Sequence, residues 1–220
     1  MIAADVPETE YGEAVIAHGL QNIEWVSRRA LGHERMVERF LGRTGLLPMQ
    51  LFTLFTSDER ALAHVARERR RIDRLLDRLD GQVEWGVRVT WDERVAREAV
   101  EKVHKATGAR KPPSGAAYLS RKRDLLDVNR ATLATARKEA TRLFREMSKE
   151  ATDARRRAST EQAAPGSRLL LDAAYLVAAA HAAAFRKALD RRTRDIETSG
   201  LAVSLTGPWP PYNFISGKSR

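Results

Sequence analysis

Gln82-Val83-Glu84-Trp85-Gly86-Val87-Arg88-Val89-Thr90-Trp91 alternates over its whole length: Val83, Trp85, Val87, Val89 and Trp91 share one side, Gln82, Glu84, Gly86, Arg88 and Thr90 the other. Successive side chains of a strand point to opposite faces, so this period of two predicts an antiparallel strand with one buried and one wet face. Gly81 punctuates its start. Ahead of it, Leu62, Val65, Ile72, Leu76 and Leu79 recur at helical spacing, and Thr56-Ser57-Asp58-Glu59 has the spacing of a capping box, so a helix is predicted with Thr56 as its cap.

Further upstream, Leu46 to Phe55 is almost continuously apolar with Pro48 near its start, the pattern of a strand covered on both faces. A long helix is predicted before it: Glu8, Glu10 and Glu13 suit a helix N-terminus, and Ile16, Leu20, Ile23, Val26, Ala30, Val37 and Leu41 step by three, four or seven. Ile2 to Val6 reads as a strand fragment closed by Pro7. His18 and His33 lie on the long helix without a second ligand one turn away, so they read as packed or surface histidines.

Downstream, Asp92 to Thr107 reads as a helix, and Gly108 to Gly115, with Pro112 and Pro113, as a linker. Tyr118 to Ala158 then contains neither Gly nor Pro, and Leu119, Leu126, Leu133, Ala140, Met147 and Ala154 fall seven apart. This predicts a helix over about 116–158, with a coiled-coil-like seam that serves either a partner copy or the chain's own domain. Twelve Lys or Arg against six Asp or Glu make it the best candidate for an electrostatic contact surface. A strand at Leu169–Val177, an Ala-rich helix with Phe185, Leu189 and Ile196 inward, a stop at Gly200 and a last strand complete the chain.

That last strand, Leu201, Val203 and Leu205 against Ala202, Ser204 and Thr206, runs into Gly207-Pro208-Trp209-Pro210-Pro211-Tyr212-Asn213-Phe214-Ile215. Three prolines lack backbone donors, so the strand is expected to stop at Gly207-Pro208 and leave as a stiff turn. Trp209, Tyr212 and Phe214 ride on it, either wedging the turn onto its own domain or meeting a partner. With Trp85, they are the candidate protein-contact residues.

Composition narrows the function classes. At 220 residues and 43% hydrophobic residues the chain can build a packed core. It has no cysteine, which fits a reducing cytoplasm, and its longest apolar run, Ala173 to Ala180, falls far short of the roughly 20 residues that span a bilayer. A net charge of +10 invites a nucleic-acid reading. However, 31 of the 39 cations are Arg and carboxylates are interleaved almost everywhere, as expected of solvated helix faces. No phosphate loop, nucleophile elbow or paired histidine ligands occur, so no catalytic, cofactor or metal site is expected.

The run LTGPWPPYNFI, Leu205 to Ile215, resembles the C-terminal signature of the GvpL/GvpF family of gas vesicle proteins. Ala14 to Phe55, Val83 to Val89 and Leu171 to Val177 agree with it in the family's order. The resemblance implies an α+β protein: a ferredoxin-like N-terminal domain over 1–92, lacking its first strands, and a C-terminal α+β domain over 93–220 with the long helix and a strand-helix-strand unit. It also implies a cytoplasmic, vesicle-associated accessory protein whose partners are the hydrophobic main shell subunit and other accessory proteins. That role would be to prevent aggregation of the subunit or to nucleate the shell. The alternatives are a basic helical nucleic-acid-binding module, distinguishable by a salt-sensitive mobility shift, and a coiled-coil scaffold dimerising through Leu126 and Leu133.

Overall fold

The computed structural model describes residues 1–41, 45–94, 115–158, 166–196 and 200–215, with backbone alone for 115–129. Its centre is strand β1, Gln82–Asp92, the alternating stretch of the sequence. β1 pairs antiparallel with β3, Ser167–Ala178, on one side and with β4, Leu201–Trp209, on the other. A short β2, Asp153–Arg156, adds to the free side of β3 and gives a four-stranded sheet in the order β2-β3-β1-β4. The ladder therefore joins residues on both sides of position 92. Within 1–92 the only strand among the described residues is β1, in place of the expected ferredoxin-like sheet.

One face of the sheet is covered by α5, Gly115–Lys149, and α6, Ala182–Ile196. Val83, Trp85, Val87, Val89 and Trp91 of β1 pack with Leu171, Ala173, Tyr175 and Val177 of β3 against Ala136, Ala140, Leu143 and Met147 of α5 and Phe185 and Leu189 of α6. Tyr175 lies between Phe144 and Phe185, ring centroids 5.9 and 5.4 Å away, and burial pushes its phenol pKa up. From Leu133 onward the heptad positions thus face the chain's own sheet, which accounts for their periodicity without a second helix.

The expected helix to residue 158 ends at Lys149. Beyond it, Thr152 and Asp153 are weak helix formers, and Ala154 to Arg156 complete a ladder on β3 against Tyr175, Ala174 and Ala173. The single long helix expected from residue 8 is three: α1, Glu8–Tyr11, α2, Glu13–Gly19, and α3, Ile23–Glu38. Asn22 starts α3 by accepting from the backbone N–H of Glu24 and Trp25 at 2.9 and 3.2 Å. Helix α4, Asp58–Leu79, begins one residue later than the capping-box reading, with Ser57 accepting from Arg60 N–H.

Two expected strands are not strands. Ile2–Val6 belongs to no ladder, and Ile2 and Val6 are exposed. Leu46–Phe55 is a turn-containing connector whose apolar residues find rings and helices instead of a ladder: Phe52 stacks on Trp25 at 5.5 Å and Phe55 lies 5.3 Å from His64. The continuous apolar run predicted burial as well as a strand, but only Pro48 within it is buried and Met49, Leu54 and Phe55 are exposed. The expected helix over Asp92–Thr107 and linker over Gly108–Gly115 lie almost wholly outside the described residues.

Candidate functional site

The second face of the sheet is the one the alternation marked as wet, and the C-terminal segment closes over it. Prolines 210 and 211 are buried. They turn the chain so that Tyr212 N–H reaches Pro210 C=O at 2.7 Å and Phe214 N–H reaches Pro211 C=O at 3.0 Å, forming a short 3₁₀ turn, Tyr212–Phe214. The turn drops Phe214, 0% exposed, among Leu79 of α4 and Ala174 and Leu176 of β3, with Leu47 and Ile215 alongside.

Strand β4 does not stop at Gly207. It continues through Pro208 to Trp209, which lies opposite Glu84 after a shift in register. An edge strand can hold a proline because only one of its sides must pair, and β4 is an edge. Gly207 is required at the shift: its φ is +118°, and a Cβ there would lie 2.8 Å from Glu84 C=O.

A polar cluster fixes the turn. Glu84, only 2% exposed, accepts from Asn213 N–H at 2.9 Å and from Asn213 Nδ2 at 2.5 Å. Burial pushes its carboxyl pKa up, opposed by the two Asn213 bonds and by the Arg157 and Arg155 guanidiniums. Arg155 of β2 donates to Asn213 C=O at 2.7 Å and sits 5.1 Å from the Phe214 ring centroid. Beside it, buried Asp172 of β3 is held by Arg157, Nε to Oδ1 at 2.7 Å, and by Arg88, Nε to Oδ2 at 3.4 Å. Gly86 leaves room for this pairing, since a Cβ would stand 3.2 Å from Arg157 Nη2 and 2.6 Å from Thr206 Oγ1.

Tyr212 extends the clamp to the N-terminal helices. Its hydroxyl donates to Glu34 Oε2 of α3 at 2.8 Å, and burial together with that carboxylate pushes the phenol pKa up. Arg71 of α4 reaches Ile215 C=O at 3.5 Å. The C-terminal turn thus touches α3, α4, β1, β2 and β3 at once, and its polar groups are spent on holding the chain together.

The four candidate contact residues separate in space. Phe214 is core on this face, and Trp85, 5% exposed, is core on the opposite face beneath α5 and α6, with Arg186 5.9 Å from its ring centroid. Tyr212 is half-buried against Glu34. Trp209 alone stands out, at 37% exposed on the end of the edge strand. Sequence reasoning missed Glu84, Asn213, Arg155 and Glu34. The one local hint was a carboxylate inside an otherwise apolar strand, and its partner lies 129 residues away. Among the described residues no group of His, Asp and Glu is arranged to hold a metal ion, and no helix is long and apolar enough to cross a membrane.

These features define an α+β protein with an antiparallel sheet clasped between two long helices and its own C-terminal turn. Residues 1–216 match the family described as gas vesicle synthesis protein GvpL/GvpF, and the chain belongs to that family. It is 31% identical over 216 residues to gas vesicle protein L of Streptomyces sp. (strain CB03234), across 97% of this chain and 78% of that protein. Its fold is similar to the crystal structure of gas vesicle protein GvpF from Anabaena sp. PCC7120, with a TM-score of 0.63 at 15% identity over 87% of this chain and 79% of that one. The GvpF structure from Microcystis aeruginosa gives a TM-score of 0.60 at 17% identity, over 86% and 78% of the two chains.

Proposed function

We propose that this protein is a non-catalytic accessory factor of gas vesicle assembly: a cytoplasmic, vesicle-associated component that binds the hydrophobic main shell subunit and keeps it from aggregating until it joins the shell. Family membership gives the process. The observation that supports the finer reading is the state of β4, an edge strand whose outer side meets no strand among the described residues and which ends in the exposed Trp209. An open edge with an aromatic anchor suits capture of an apolar strand by backbone pairing.

Exposed apolar side chains on the N-terminal helices, Ile23 at 77% and Leu62 at 60% among them, add surface of the kind a holder of a sticky subunit needs. Other accessory proteins of the vesicle are the remaining partners this reading expects. It is tested by capture of the purified shell subunit on the immobilised protein, together with deletion of its gene. Retention of the subunit and loss or disorder of vesicles are expected; a subunit that passes unretained, with normal vesicles in the deletion strain, overturns the proposal.

A further inference from the structure

Helix α5 carries three separate stripes. At 3.6 residues per turn, Leu133, Ala136, Ala140, Leu143 and Met147 face the sheet. Glu139 and Glu146 flank them toward α6, lining a seam with Arg192 and Asp195 in which Arg192 Nε reaches Glu146 Oε2 at 3.1 Å. The third stripe is solvent-facing and cationic: Arg137, Lys138, Arg142, Arg145 and Lys149 are all exposed. It spans about 18 Å at 1.5 Å per residue.

The first four of these cations, with Thr141, line an open hollow of ≈ 320 Å³. Only Arg142 leans toward an acid, Glu146 at 3.1 Å, and among the described residues Arg137, Lys138, Arg145 and Lys149 meet no carboxylate. Like charges three and four residues apart on a helix repel, so this arrangement works against the isolated helix. The acids that could relieve it are turned to the α6 seam.

We propose that this stripe, Arg137 to Lys149, is a docking strip for an acidic helix of a partner protein, one that presents carboxylates a turn apart along one side. The site is additional to the β4 edge and does not depend on it. Charge favours a polypeptide over a duplex: a helix, about 10–12 Å across with its side chains, can keep to the cationic side of the acids that line the α6 seam. A DNA duplex laid along the stripe would press its phosphates against Glu139, Glu146 and Asp195 at the seam. A membrane is disfavoured because the hollow is lined by cations and Thr141, with no large apolar side chain to insert.

The test is fluorescence anisotropy with the full chain and a labelled peptide of roughly 20 residues, Glu at every fourth position on an alanine background, long enough to populate a helix. Duplex DNA and phosphatidylserine vesicles are run as separate arms. The variant Arg137→Glu/Lys138→Glu/Arg145→Glu is expected to weaken peptide binding about tenfold or more, a change of about 1.4 kcal/mol or more. Arg67→Glu/Arg70→Glu/Arg74→Glu on α4, the same change in net charge on another surface, is expected to leave it nearly unchanged. If the first variant loses its helical circular dichroism, Arg137→Gln/Lys138→Gln/Arg145→Gln is read in its place with the same direction expected. Equal weakening by both triple variants, no saturable peptide binding, or tighter strip-dependent binding of DNA or vesicles overturns the inference.

Discussion

Glu84 shows how one side chain sets the state of the C-terminal turn. Its carboxyl is pushed up in pKa chiefly by burial, so the folded protein holds this proton more tightly than the unfolded chain does. The linked stability is therefore present in full below the ordinary glutamate range, about 4.3, and is lost as pH rises through the folded value. Glu84→Gln keeps the shape and removes the titration. Urea midpoints are expected to show the wild type losing ground to this variant between pH 4 and pH 7; a constant difference would contradict the assignment. Glu84→Ala instead strands the Asn213 amides and is expected to destabilise by about 1–3 kcal/mol at either pH. Phe214→Ala, which empties a fully buried site beneath the turn, is expected to lower the unfolding free energy by about 3–5 kcal/mol.

Among the elements, α1 and α3 are held lightly. Neither has a buried residue, and the link of α3 to the C-terminal turn is the Tyr212–Glu34 hydrogen bond. Amide exchange is expected to be slowest in β1 and β3, whose middle residues are buried, and fastest in α1 to α3. Tyr212→Phe is expected to speed exchange in α3 while leaving β1 and β3 unchanged, at a stability loss of about 1.5–3 kcal/mol for a bond to a charged group. Uniform acceleration across the sheet would mean that the bond braces the whole fold.

The same scale shows what the sequence could convey. β1, β3, α4, α6 and β4 were legible because each carries its own periodicity. The cap at Asn22 is equally local but lies inside a longer helical period, and the cap of α4 is one residue later than the capping-box spacing suggests, at Ser57. The strand at Asp153–Arg156 was not legible, because its helical-looking letters are overruled by an open ladder on β3. Nor was the burial of Glu84, since a polar letter on an alternating strand reads as solvent-facing until the segment that covers it is placed.

For the whole molecule, the stiffness of Pro208 to Pro211 was readable and its destination was not. The turn folds back over β1 and converts a one-sided sheet into one covered on both faces: α5 and α6 on one, the C-terminus, α4 and part of the Leu46–Phe55 connector on the other. Among the described residues this leaves the outer sides of the two edge strands, β2 and β4, without a strand partner, and β4 is the one that ends in the exposed Trp209. Of the four contact residues named from sequence, Phe214, Trp85 and Tyr212 are engaged within the fold and Trp209 is exposed.

The most direct test of this account is the aggregation of purified main shell subunit, followed by light scattering with an equimolar amount of this protein or of its Trp209→Ala variant. The wild type is expected to suppress scattering and the variant, shown by its urea midpoint to be folded, to suppress it several-fold less. Equal suppression by both would contradict the role given to the β4 edge and Trp209, and no suppression by either would contradict the holding function itself.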